Sequence, residues 1–224
     1  MNFSKSCARL PRTGSRVPLR RRPPPRHPPP PPLRDAARYQ LPLTSLAGPW
    51  VRIFRFAPGR SPLYFGSAST YRFDDPLGRF GVLYAAEHLA GAFIETFGRA
   101  VGQHLIAVPD LQARHLASVR ATRPLQLVDL RGRHLAALGA TGELTAGRDY
   151  VRSQRWSRWF YSHPQRPDGL LYPCRHDPEQ RAVALFDRTQ GDLEALDSGE
   201  LLRDALLPEL AEVLGRYGLG LDNL

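Results

Sequence analysis

The sequence predicts an α+β domain built on a mixed sheet and preceded by a low-complexity N-terminal tail. Three observations predict it. Many short apolar runs of strand composition occur along the chain, with stretches of helical spacing interspersed among them. Composition changes abruptly near Pro42, which separates a tail (residues 1–42) from a domain (residues 43–224). At 224 residues, the chain is long enough for one well-buried domain plus a tail.

The tail concentrates the charge. Ten of the cations and only one acid, Asp35, lie in residues 1–40, so this segment holds +9 of the formal net charge of +10. The remainder is nearly neutral, and no basic nucleic-acid-binding face is required of it. Ten of the 22 prolines also fall in residues 1–40, including the run Pro28 to Pro32. Such a segment lacks the apolar surface to offset ordering entropy and is expected to be disordered or polyproline II. An extension without function is the plain reading; a proline-motif ligand or an RNA-binding arm is the functional one. Cys7 and Cys174 are far apart and suggest neither a structural disulfide nor a cysteine zinc site, which fits a cytoplasmic protein. No apolar run approaches the roughly 18 residues of a membrane helix. Arg20 to Arg22 run into prolines rather than into the apolar region of an export signal.

Within the domain, Trp50 to Phe56 reads as a strand and residues 58–62 as a loop. Tyr71 to Phe73 reads as a short strand ended by Asp74-Asp75-Pro76, and Gly81 to Ala85 as another. Leu89, Ala92, Phe93 and Phe97 repeat at helical spacing, which predicts a helix over 87–99. Leu105 to Val108 suggests a strand, and 115–119 and 125–130 look like a strand pair. Short and longer helices are expected over 133–140 and 150–161, then strands at 170–172 and 183–186. A terminal amphipathic helix is expected over 199–216, ended by Gly218.

The chemistry-bearing residues come in an ordered set. It begins with Ile53-Phe54-Arg55, Tyr71-Arg72-Phe73-Asp74-Asp75-Pro76, Gly81 to Glu87 and Ala92-Phe93-Ile94-Glu95. It continues with Leu127 to Leu130, Ser153-Gln154-Arg155-Trp156, Asp168 to Pro178 and Ala184 to Asp187. In order and spacing, over about residues 48–190, this set resembles the RES domain, the NAD⁺-consuming toxin of RES/Xre toxin–antitoxin pairs. No single piece is specific, whereas the ordered set is. The resemblance implies a fold related to ADP-ribosyltransferases, with NAD⁺ as substrate rather than cofactor. It places the family's two pocket arginines on Arg55 and Arg72, its tyrosine on Tyr84 and its glutamate on Glu95. Cys174 stands where the family carries serine. It also implies an Xre-like antitoxin partner and leaves a homodimer open.

The chemistry is coherent on physical grounds. A pyrophosphate needs guanidinium forks or helix N-termini, which Arg55 and Arg72 could supply. Glycosidic cleavage builds positive charge on the ribose, and a carboxylate in a dry pocket stabilises it; Glu95 is that candidate. Tyr84 could stack the nicotinamide ring. Arg72, Tyr84 and Glu95 form the expected catalytic set; Arg55, Arg72, Tyr84 and Cys174 form the expected NAD⁺-binding set. Bland alternatives exist for each: surface ion pairs for the arginines, a core aromatic for Tyr84, the polar helix face for Glu95. Glu87, on that same face, is the rival carboxylate. Cys174 with His176 at i, i+2 could share one strand face as a nucleophile pair, although an inert buried thiol is the commoner outcome. His163, His176 and Asp177 lack metal-site spacing, and the histidines are expected on the surface or in loops. Three functions stay open: NAD⁺ cleavage by water or phosphate, ADP-ribosyl transfer to a protein, and a tail-driven interaction module without enzymatic activity.

Overall fold

The computed structural model describes residues 29–98 and 104–222. Most of the low-complexity tail, residues 1–28, lies outside the described residues. Its last part packs on the domain: residues 33–38 form a 3-10 turn, and Ala36 and Leu41 are buried. The first half contains β1 (Leu43–Leu46), β2 (Trp50–Arg55), β3 (Val82–Ala86), α1 (Leu89–Phe97), β4 (Leu105–Ala107) and α2 (Val108–Gln112). It continues with β5 (Arg114–Ala121), β6 (Leu125–Asp129), α3 (Arg133–Ala137), α4 (Glu143–Ala146) and α5 (Tyr150–Tyr161). The chain then adds β7 (Gly169–Pro173), β8 (Arg181–Phe186), β9 (Leu193–Glu200), α6 (Leu207–Arg216) and β10 (Gly220–Asp222).

The α+β class is therefore the observed one. The main sheet has eight strands in the order β1-β6-β7-β8-β3-β2-β5-β9, and β6 and β7 are parallel within an otherwise antiparallel ladder. Two short links show that it is not flat. Five strand positions separate β5 from β6, about 24 Å in a flat sheet at roughly 4.8 Å per strand. The chain from Ala121 to Leu125 spans at most about 14 Å. The link from β1 to β2 faces the same conflict. The sheet therefore folds back on itself, and the two links run side by side, with the Ala121 N–H donating to the Ala47 carbonyl at 2.8 Å. Gly48 turns the β1–β2 link at φ +85°; a Cβ there would meet the Trp50 ring at 2.9 Å.

The fold-back corrects one expectation. Residues 115–119 and 125–130 do not pair with each other: β5 pairs with β2 and β9, and β6 with β1 and β7. Arg123 holds the link apart from a hairpin by bonding Asp168 and Asp192. A second correction concerns Tyr71 to Phe73, which is a turn rather than a strand. A third concerns the C-terminal helix, which starts at Leu207 and not at residue 199. Residues up to Glu200 instead extend β9 along β5, and Pro208 fits the helix's first turn, where no N–H is needed. Gly218, at φ +60°, ends that helix as expected, with the Leu219 N–H returning to the Leu214 carbonyl.

Helix α1 lies across β2 and β3 and joins α6 through a cluster that includes Leu89, Phe93, Leu210 and Val213. Helix α5 covers the opposite part of the sheet with Trp156, Trp159 and Phe160. Among the described residues, no helix is long and apolar enough to cross a membrane.

Candidate active site

Strands β2 and β3 are neighbours, yet they pair at a single register position, Val51 with Ala86. Beyond it they diverge, and the gap between them opens a cleft of about 300 Å³. The loop between the two strands closes one side through the Gly66–Val82 bridge. Glu95 of α1, Tyr150 of α5 and Arg175 after β7 reach it from the other sides. Six arginines line this cleft: Arg52, Arg55, Arg60, Arg72, Arg114 and Arg175. Glu95 is the single carboxylate among the lining residues. In a nearly neutral domain, that concentration of cations creates a strong local anion preference.

Arg72 sits on the turn at 69–75, and side chains rather than a neighbouring strand satisfy that backbone. The Asp74 carboxylate accepts the N–H groups of Thr70 and Tyr71 at 2.9 and 2.8 Å. From α5, Gln154 donates to the Ser69 and Tyr71 carbonyls, both at 3.0 Å, and Ser157 donates to the Phe73 carbonyl. Gln154, from the motif Ser153-Gln154-Arg155-Trp156, and Ser157 just after it thus clamp the turn, while Ser153 bonds the Leu144 carbonyl instead. Arg72 donates to the Gly147 carbonyl at 2.8 Å and lies 4.6 Å over the Tyr150 ring. Burial lowers its pKa from the ordinary value, and Tyr150 opposes that shift.

Tyr84 belongs to the same unit. Its hydroxyl donates to Asp74 at 2.8 Å and accepts the Phe73 N–H at 2.9 Å. The hydroxyl is enclosed, while part of the ring faces the cleft beside Tyr71. Burial and the Asp74 carboxylate raise its pKa well above the ordinary phenol value, so it stays protonated as a strut. Glu95 meets this unit from α1. Its Oε1 accepts the backbone N–H of Arg175 at 2.6 Å, which aims the carboxylate at the cleft wall. Its rival Glu87 pairs with Arg181 and is not among the lining residues.

The structure therefore gathers Arg55, Arg72, Tyr84 and Glu95 around one cleft, but Arg55 only at its rim. Its side chain is 61% exposed and forms a long 3.8 Å bridge to Asp110. Three residues earlier, Arg52 is the inward arginine that sequence reasoning missed. Its Nη2 donates to the Tyr64 carbonyl at 2.8 Å, and its enclosed Nη1 has no hydrogen-bond partner among the described residues. Burial pulls its pKa down to about 10, so it remains a cation at neutral pH. Part of the signal was available: Trp50, Arg52 and Phe54 alternate onto one face, where Trp50 is buried and Phe54 packs. A cation inside an inward-facing row is the exception that marks a site.

Cys174 is not brought to the cleft. It is 1% exposed, its thiol faces the Gly91 carbonyl at 3.9 Å, and burial raises its pKa well above the ordinary value. It lies past the end of β7 with His176, so the two do not share a strand face: His176 lines the cleft while Cys174 points into the core. A protonated, enclosed thiol is no nucleophile. His163 is buried rather than superficial, with Nε2 2.9 Å from the Ala36 carbonyl. Among the described residues, no group of three or more histidine, cysteine or acidic side chains could hold a metal ion.

Comparison with known proteins agrees with this architecture. The model of the RES domain family matches residues 49–204. The chain is 32% identical over 120 residues to "Probable toxin y4kH" of Sinorhizobium fredii, an alignment covering 53% of this chain and 91% of that protein. Among solved structures, the M. tuberculosis MbcT–MbcA toxin–antitoxin complex contains a chain of similar fold. Its TM-score is 0.57 at 18% identity, over 80% of this chain and 96% of the other.

Proposed function

The chain belongs to the RES domain family, and on that premise we propose that its cleft binds NAD⁺ and cleaves the nicotinamide–ribose bond. The observation that carries the proposal is the set of six arginines around a single carboxylate. A pyrophosphate is the ligand chemistry that such a set matches. Arg52 offers a cation at the cleft lining, with one donor that has no hydrogen-bond partner among the described residues, and Arg72 offers a second one fixed by Gly147 and Tyr150. Glu95 stands where charge on an anomeric carbon would be stabilised.

In this scheme the C1′–N bond breaks with its electron pair leaving on nicotinamide. That group departs neutral, so no strong general acid is required, in keeping with a Tyr84 hydroxyl committed to Asp74 and Phe73. Water then adds to C1′ and its proton goes to solvent, giving ADP-ribose; phosphate in its place gives the 1-phosphate. Incubating the protein with NAD⁺, with and without phosphate, and identifying products by mass tests the proposal. Nicotinamide release is expected, and intact NAD⁺ at high enzyme concentration sinks the idea.

The relatives' names extend the proposal to the cell. We propose that expression arrests growth by depleting NAD⁺ and that a protein antitoxin relieves the arrest. The assay is growth on induction with Glu95→Gln as control: arrest that survives this variant excludes NAD⁺ depletion as its cause.

A further inference from the structure

The family model stops at residue 204, yet the next element reaches back to the site. Tyr217, at the C-cap of α6, donates its hydroxyl to Asp177 Oδ2 at 2.8 Å. The same hydroxyl lies 3.4 Å from the Ala90 carbonyl in the first turn of α1. Asp177 organises the turn between β7 and β8. Its Oδ1 accepts the Glu179 N–H and its carbonyl accepts the Gln180 N–H, while Cys174 N–H closes on the Gln180 carbonyl. That turn carries Arg175, whose N–H holds Glu95, and His176, which lines the cleft. Tyr217 therefore touches both halves of the contact that fixes the carboxylate: the helix bearing Glu95 and the turn bearing Arg175. Leu210 and Val213 pack with Leu89 and Phe93, so α6 is anchored and its last turn is a rigid place from which to brace. Burial and Asp177 also raise the Tyr217 pKa, which keeps the phenol protonated as a donor.

We infer that Tyr217 is a positioning residue that locks the 174–180 turn against α1 and thereby sets the Arg175–Glu95 contact. As a role in catalysis, the inference rests on the NAD⁺-cleaving reading above. Tyr217 is not among the residues lining the cleft, so its effect is expected in turnover and not in ligand affinity.

The test uses the full chain with Tyr217→Phe, which keeps the ring and removes the hydroxyl. Three readouts are needed. The Arg175 amide proton, bonded to a carboxylate at 2.6 Å, should lie well downfield in a ¹H–¹⁵N spectrum and move upfield in the variant. The kcat for nicotinamide release should fall about 5- to 20-fold, with KM and the Kd for ADP-ribose within about twofold of wild type. Asp177→Asn should cause a similar fall, and the double variant no more than either single one, since both break one brace. An Arg175 amide that stays in place overturns the inference, as does an unchanged kcat or a loss confined to KM. If wild type leaves NAD⁺ intact, the functional reading fails by itself, and the amide position alone then decides the brace.

Discussion

Replacing Arg52 by methionine separates the inward arginine from the rim arginine. Among the described residues, the Arg52 guanidinium has one bond, to the Tyr64 carbonyl, and an enclosed Nη1 without a partner. Methionine loses the Tyr64 bond, worth about 1 kcal/mol, and relieves the cost of enclosing a cation. The two offset, so the ligand-free variant should melt within about 4 °C of wild type. Binding should suffer far more. Each charge-assisted bond to a pyrophosphate oxygen is worth about 1.5–3 kcal/mol, hence a roughly 10- to 150-fold rise in the Kd for ADP-ribose. Arg55→Met is the contrast: its side chain is 61% exposed, and an ion pair made in water is worth about 0–1 kcal/mol, so a phosphate contact there is weak and Kd should change by less than about fivefold. Titration calorimetry of the three proteins with ADP-ribose reads both effects. An Arg52→Met protein that binds as wild type, or an Arg55→Met protein with the greater loss, would move the pyrophosphate to the rim and refute the assignment.

Other outcomes follow from the same geometry. Glu95→Gln retains an acceptor for the Arg175 N–H but not the charge; nicotinamide release should drop roughly 10²- to 10³-fold with melting little changed. Gln154→Ala strips two carbonyls of their donor and loosens the Arg72 turn; about 2 kcal/mol, or roughly 4–8 °C, should be lost on melting, and KM should rise. Native protein should resist alkylation at Cys174, and Cys174→Ser should keep activity within about threefold. Burial pushes the Asp168 carboxyl up, but its bonds to Arg123 and the Gln126 N–H more than offset this and hold it below the usual value. A depressed folded-state pKa gives stability that is present above about pH 4 and lost as pH falls further. Arg123→Ala should therefore begin acid unfolding at a higher pH than wild type, as followed by circular dichroism.

How much of this was legible in the sequence depended on range. Helix α5 was readable to the residue because the spacing of Val151, Trp156, Trp159 and Phe160 is a local signal. The convergence of Arg72, Tyr84 and Glu95 was readable from an ordered set of motifs. The split between β2 and β3 was not, because it is a property of register between strands joined by a long loop. Strand β9 was hidden because Leu193 to Glu200 is mostly exposed at the sheet edge and lacks apolar alternation. The choice of Arg55 over Arg52 failed for a related reason. Strand composition marked the segment, but Trp50 and Phe54 pack on one face and Val51 and Ile53 on the other, so alternation alone does not rank the two guanidiniums; Arg55 is exposed because it ends the strand. Cys174 looked like a site residue by alignment to a serine, whereas its burial against Gly91 is decided by how tightly α1 approaches the 174–180 turn.

The pairing of β3 with β8 joins residues about 100 positions apart, and β1 with β6 joins residues about 80 apart. Contacts of such long sequence separation form slowly. The Glu95–Arg175 contact is likewise long-range, linking α1 to the turn between β7 and β8. A newly synthesised copy is therefore expected to complete this cleft only after most of its chain has been made, since the residues that line it run from Val51 to Ala182.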